Sequence, residues 1–143
     1  MRIPVLLALL TATSAGDPEE AASWGAYAQL APHVLITVPL ADHSPACRRL
    51  ILNTSRYLQT HGDGHASRAV CEQLLDRWRA SLGPDDPDTL TAATILTRAL
   101  IQLGEAEPAR TLGEDTLQRA RRVLGPDHAV TLFLAQTAGI NSV

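Results

Sequence analysis

Lysine is absent from the 143-residue sequence: all 12 basic side chains are arginine, and 15 acidic residues outnumber them. That balance disfavours a basic nucleic-acid platform. Aromatic residues make up only 3%. A core must then be assembled from Leu, Ala, Ile and Val, which suits close-packed helices better than β-sandwich strands rich in β-branched and aromatic residues. Two cysteines, Cys47 and Cys71, are too few for a disulfide scaffold. No apolar run reaches the ~20 residues that a membrane-spanning helix needs, so no membrane partner is expected. The sequence also lacks a GxxxxGKS/T phosphate loop, HExxH, GxSxG, a CxxC pair and the GxGxxG fingerprint. With them go the usual marks of nucleotide, metal-hydrolytic and nucleophilic chemistry. The expectation is a non-enzymatic protein with no cofactor.

What is present points to a folded protein. Residues are 45% hydrophobic and 19% charged, too apolar for a disordered chain. The length suits one compact unit or a short repeat array, and it can bury a sufficient core without disulfides or metal. The start, MRIPVLLALLTATSAG, has Arg2, a short apolar run and then small residues, as a signal peptide does. It reads more readily as the tail of a preceding helix. A cytoplasmic location is expected, with secretion as the alternative if residues 1–16 are cleaved.

The strongest pattern is internal. Residues 82–90 read LGPDDPDTL and residues 124–132 read LGPDHAVTL, an offset of 42. The same offset carries Arg56 onto Arg98, Gly62 onto Gly104, Arg68 onto Arg110, Glu72 onto Glu114, and Arg77 onto Arg119. A fixed period in this range marks stacked supersecondary units. Leu90, Ala93, Leu96, Leu100 and Leu103 follow helical spacing, as do Ala109, Leu112, Thr116, Ala120 and Val123. Gly104 lies between them, where a helix ends cheaply in a left-handed residue. A connection this short makes the two helices antiparallel neighbours. At the junctions Gly83 closes one helix and Pro84 stops it. Asp86 then caps the next, with Pro87 at its first position. Ser44 and Pro45 repeat that arrangement, while His128 and Ala129 offer a weaker cap and predict a fraying last helix.

The pattern LGPDxPDTL, a helix, LGE and an Ala-Arg helix resembles the 42-residue tetratricopeptide repeats of kinesin light chains. It is similar, more closely still, to those of bacterial NB-ARC/tetratricopeptide regulators. The resemblance implies an all-α fold, a short right-handed α-solenoid of antiparallel helical hairpins. Its repeats fall at about 43–82 and 85–124, with a half repeat at 127–143, within a segment spanning 41–143. It also implies a Gly at the end of each first helix (Gly62, Gly104), a small residue at the hairpin crossing (Ser67, Ala109) and a seam position at Thr54 and Leu96. Cys71 and Gly113 stand where the family often has a large aromatic, which implies a lean core. Residues 1–40, with Asp17-Pro18-Glu19-Glu20, Trp24, Tyr27 and Leu30-Ala31-Pro32-His33-Val34, are similar to the helices that lead into the repeats of those regulators. Both ends read as truncated.

Within this frame the candidate metal ligands separate. His43 and Cys47 fall at one end of the first helix and His61 at the other, ~20 Å away. One zinc ion, with ligand bonds of about 2 Å, cannot span them. A Cys47–Cys71 disulfide also fails, because folding near Gly62 sets the two ~9 Å apart along the hairpin axis, past the ~7 Å Cα limit. No metal is expected, and Cys71 reads as a small buried hydrophobe. Arg77, Arg79, Arg119, Arg121 and Arg122 fall near helix C-termini, where solvated cations complement the dipole; a phosphate or acidic-partner patch is the alternative. Glu72, Glu105, Glu107 and Glu114, nearer helix starts, complement it likewise.

The family implies a groove lined by the first helices, in which an Asn contacts the partner's backbone. The matching positions are Asn53, Ile95 and Thr137, and the candidate groove residues are Asn53, Arg56, Thr94, Arg98 and Gln102. The expected function is a non-catalytic scaffold binding a protein or peptide, as the sensing or docking arm of a bacterial signalling regulator. The alternatives are a truncated reading frame without independent activity and a small secreted or metal-binding helical protein. An unpaired last helix exposing Leu132, Phe133, Leu134 and Ile140 predicts a homodimer.

Overall fold

The computed structural model describes residues 45–141, excluding the side chains of Cys47 and residues 138–141. The expected lead-in helices of residues 1–40, the signal-peptide alternative at 1–16, His43 and the Ser44 cap lie outside the described residues. Five helices follow one another: α1 (Pro45–Thr60), α2 (Gly64–Ser81), α3 (Pro87–Gln102), α4 (Ala106–Val123) and α5 (Ala129–Asn141). There is no strand among the described residues. The fold is an all-α helical repeat, as expected.

The repeat is written in the backbone. Glycines 62, 83, 104 and 125 all have φ between +80° and +95°. This is the left-handed region, which costs an L side chain energy. Beyond α1, Asp63 N–H donates to the Leu58 carbonyl at 2.8 Å, and beyond α3 Glu105 N–H donates to the Leu100 carbonyl at 2.8 Å. At the other type of junction, Gly83 N–H reaches the Trp78 carbonyl at 2.9 Å and Gly125 N–H reaches the Ala120 carbonyl at 3.1 Å. Each bond satisfies a carbonyl that the end of a helix would otherwise leave open.

Capping completes the junctions. Asp86 is the N-cap of α3, accepting from Asp88 N–H at 2.9 Å, with Pro87 beginning the helix. Asp63 caps α2 by accepting from Ala66 N–H at 3.1 Å. Glu105, at the equivalent position before α4, makes no side-chain cap bond. The cap before α5 is made by an imidazole: Val130 N–H donates to His128 Nδ1 at 3.1 Å. An imidazole nitrogen there does the work of the Asp86 carboxylate.

Contacts divide the chain into two units, Met1–Val70 and Cys71–Val143. In the first, Leu50, Ile51, Leu52, Leu58 and Val70 are buried. Ser67 on α2, fully buried, donates its hydroxyl to the Ser55 carbonyl of α1 at 3.0 Å. A small residue does sit at that crossing.

In the second unit α4 packs against both α3 and α5. The largest fully buried side chain is Trp78, and Cys71 is likewise a fully buried thiol. α3 is enclosed nearly all round, with Thr89, Leu90, Ala92–Thr97, Ala99 and Leu100 buried. A helix that is apolar on every face belongs in an interior. α4 instead buries one stripe: Ala109, Gly113, Thr116, Leu117 and Ala120. The expected stripe ran through Leu112 and Val123; Leu112 is half-buried and Val123 is 40% exposed. The inward face is turned toward Gly113 and Leu117, with Gly113 against Thr97 of α3. A Cβ added there would stand 3.4 Å from Thr97 Cγ2, so no aromatic fits.

The last helix corrects another expectation. It is not unpaired: Leu134, 1% exposed, forms a cluster with Leu117 and Ala120, and Phe133 packs against that cluster. Leu132 remains 54% exposed, and the Ile140 side chain lies outside the described residues.

Two stability effects follow. Gly113→Ala adds only a methyl in ordinary contact with Thr97 and removes a helix-interior glycine, so it raises stability by about 1 kcal/mol in a thermal melt; Gly113→Phe lowers it. His128→Ala removes the α5 cap, costs about 1 kcal/mol locally, and speeds amide exchange at 130–134 while leaving α3 amides largely unchanged.

Candidate functional site

A polar row climbs α3 at residues 94, 98 and 102, the four-residue spacing that keeps side chains on one helical face. Its members differ in availability. Thr94 is 6% exposed and its hydroxyl donates to the Leu90 carbonyl at 2.8 Å. It therefore helps build the helix instead of presenting a polar group to solvent. Gln102 is exposed at the C-terminal end of α3. Arg98, between them, is half-buried, with its guanidinium carbon 4.1 Å from the centre of the Phe133 ring on α5. A cation over a ring face within about 6 Å is attracted by the ring quadrupole. The contact fixes the guanidinium between two successive first helices.

The family's Asn position is closed here: Ile95 is 3% exposed, and Thr137 donates its hydroxyl to the Phe133 carbonyl at 2.9 Å. In the first unit Asn53 and Arg56 are both half-buried on α1, three residues apart. His61 is exposed, stacked on Tyr57 with ring centroids 4.1 Å apart, and His65 is exposed on α2. Among the described residues no three His, Cys, Asp or Glu side chains are grouped to hold a metal ion.

A charged cluster that the sequence did not announce binds the loop before α3 to α4. Arg119 Nη1 donates to Asp85 Oδ1 at 2.8 Å, and Arg122 Nη2 donates to Asp85 Oδ2 at 2.9 Å. Arg119 Nε also donates to Asp115 Oδ2 at 3.1 Å, one turn earlier on α4. Arg119 and Arg122 are thus neither solvated complements of the dipole alone nor a vacant phosphate patch. The bonds from Arg119, then Arg122, hold the Asp85 carboxyl below its usual range, and Asp85 in turn raises Arg119. Asp85 is one of the positions shared by LGPDDPDTL and LGPDHAVTL. Its 42-residue period relative to Asp127 was the available signal.

Residues 53–122 match the family model described as the tetratricopeptide repeat. This stretch is similar to tetratricopeptide repeats. The match runs from within α1 to the end of α4, so both hairpins contribute to it. Comparison with curated proteins and with solved structures returned no match. Tetratricopeptide repeats generally mediate protein–protein interactions, and their helices act as scaffolds. Among the described residues no helix is long and apolar enough to cross a membrane.

Asp85 titrates lower in the folded chain than in the unfolded one. Its contribution is therefore fully present above the unfolded value of ~4 and is lost as pH falls through the folded value. The stability difference between the wild type and Asp85→Asn is then largest near neutral pH and closes below about pH 4. Because the cluster faces solvent, added salt shrinks the difference. Chemical denaturation across pH at two ionic strengths measures both effects.

Proposed function

We propose that this chain is a non-catalytic scaffold that binds a protein or peptide on the first helices of its repeats. In the second unit that surface carries Arg98 and Gln102, with Thr94 supporting it from within the helix. In the first unit Asn53 and Arg56 occupy the corresponding helix, α1. The observation that carries the reading is Arg98, which lies in the stretch similar to tetratricopeptide repeats and is held against the Phe133 ring on α5. An ordered guanidinium loses less side-chain entropy on binding than a mobile one. It also offers several donors in one plane to a carboxylate or a carbonyl.

Arg56 repeats the charge at the equivalent position of α1, so the favoured ligand is an acidic or carbonyl-presenting segment. With Asn53 matched by Ile95 and Thr137, only one of the three positions carries an amide. Side-chain recognition by arginine then outweighs uniform capture of an extended backbone. By its likeness to NB-ARC/tetratricopeptide regulators, the chain serves as the sensing or docking arm of a cytoplasmic bacterial signalling protein. Homodimerisation through α5 would rest on Leu132, the large apolar side chain of that helix left most exposed among the described residues.

Selection of peptide ligands from a random display library, followed by calorimetry on the purified chain, tests the proposal. Ligands enriched in Asp and Glu are expected. Arg98→Glu weakens them tenfold or more, about 1.4 kcal/mol, with an unchanged circular dichroism spectrum. Ligands that bind Arg98→Glu, Arg56→Glu and Gln102→Ala as tightly as the wild type overturn it.

A further inference from the structure

The junctions before α3 and α5 deliver different capping groups to the same place. Asp86 precedes α3, and His128 stands at the equivalent position before α5. The turns that carry them are alike: Asp86 N–H donates to the Gly83 carbonyl at 3.3 Å, and His128 N–H donates to the Gly125 carbonyl at 3.4 Å. Each side chain then accepts from the backbone two residues on, Asp86 Oδ1 from Asp88 N–H at 2.9 Å and His128 Nδ1 from Val130 N–H at 3.1 Å.

The two acceptors respond differently to protons. A carboxylate stays charged down to about pH 4, whereas an imidazole charges between about pH 5 and 8. Because Nδ1 accepts from a main-chain N–H, it carries no proton, and the neutral ring has its own N–H at Nε2. Protonation turns both ring nitrogens into donors and ends the bond from Val130. It also sets a positive charge at the N-terminal end of α5, which the helix dipole opposes. Both effects act in one direction. The stabilisation by the neutral ring is complete above the ordinary imidazole value of ~6.5 and is lost as pH falls below it.

The surrounding charges do little to retain a proton on the ring. α5 has no ionisable side chain. His128 has no carboxylate partner among the described residues, and Asp127, its chain neighbour, is exposed. The end of α4 before this junction carries Arg119, Arg121 and Arg122, which disfavour a further cation; Glu107, Arg110 and Glu114 lie in the first half of that helix. Asp115 and Asp85 are already engaged by Arg119, and Asp85 by Arg122 as well. α3 contributes Asp88 in its first turn and Arg98 against Phe133.

Loss of the cap reaches the candidate site. Leu132 N–H donates to the His128 carbonyl at 2.9 Å, so the first turn of α5 hangs on the capping residue. Phe133 follows that turn, and its ring centre is 4.1 Å from the Arg98 guanidinium carbon. We propose that His128 is a proton-sensitive switch. Neutral, it fixes the first turn of α5 and seats Phe133 against Arg98; protonated, it frees the turn and loosens that contact.

Amide protection factors and Arg98 side-chain shifts, measured by NMR on the whole chain between about pH 8 and about pH 5.5, test the switch. On acidification, protection at residues 132–134 falls about fivefold, the worth of a typical cap, and the ring-current shift of the Arg98 Cδ protons shrinks. Residues 90–92, behind the Asp86 carboxylate, keep their protection. Asp85, held below its usual range by Arg119 and then Arg122, stays charged throughout. His128→Asp holds both readouts constant while retaining His61 and His65, and His128→Ala shows the low protection at both ends of the range. Constant protection in the wild type overturns the proposal. So does an equal loss in His128→Asp, or an Arg98 shift that stays fixed while the turn opens. No ligand enters the measurement, so its outcome is independent of whether the first-helix face binds one.

Discussion

Each of the first four described helices ends by bending its backbone through a left-handed glycine, so that an N–H just beyond the helix returns to a carbonyl of its last turn. The helices that follow depend on that reversal. It fixes where one helix stops, and capping by Asp63, Asp86 and His128 then fixes where the next begins. Because the bonds are made by main-chain atoms, the side chains around them are free to vary, and LGPDD can become LGPDH without loss of the turn.

Short connections oblige neighbouring helices to pack, and this sequence packs them with small side chains. Threonine occupies many interior positions, and its hydroxyl is usually spent within its own helix: Thr54, Thr94, Thr97 and Thr116 all donate to the carbonyl four residues back. Spent in this way, a threonine fills space much as valine does. Thr89 and Thr131 are the informative exceptions, buried with hydroxyls that make no hydrogen bond. They lie in the first turns of α3 and α5, where the residue four earlier precedes the helix and its carbonyl is not aligned below them. Polar side chains across the surface add direction to this packing. The Asp85–Arg119–Arg122 cluster ties a loop to a helix end, and Arg98 over Phe133 ties α3 to α5.

Much of the fold was legible because it is local. Gly104, Asp86 and Pro87 specify a stop, a cap and a start from chemistry contained in a few residues, and the 42-residue offset multiplies that information. The inward face of α4 was less legible. Spacing alone allows Leu112 and Val123 or Gly113 and Leu117, and the choice depends on how closely α3 approaches. The enclosure of α3 was present in its composition, since Arg98 is its only charged residue beyond the first turn, but a one-face template concealed it. At the candidate site, periodicity finds Arg98 and Gln102 but cannot reveal that Thr94 is covered. Nor can it pair Arg98 with Phe133 or Asp85 with Arg119, residues joined only once the helices are stacked.

The closeness in sequence of these partners has a kinetic consequence. Arg122 and Asp85, among the more widely separated hydrogen-bonded pairs, are 37 residues apart, less than one repeat. Among the described residues, folding therefore closes short loops, each at modest entropic expense. Such a chain assembles quickly by nearest-neighbour growth, and damage to one hairpin leaves the nucleation of the next largely intact.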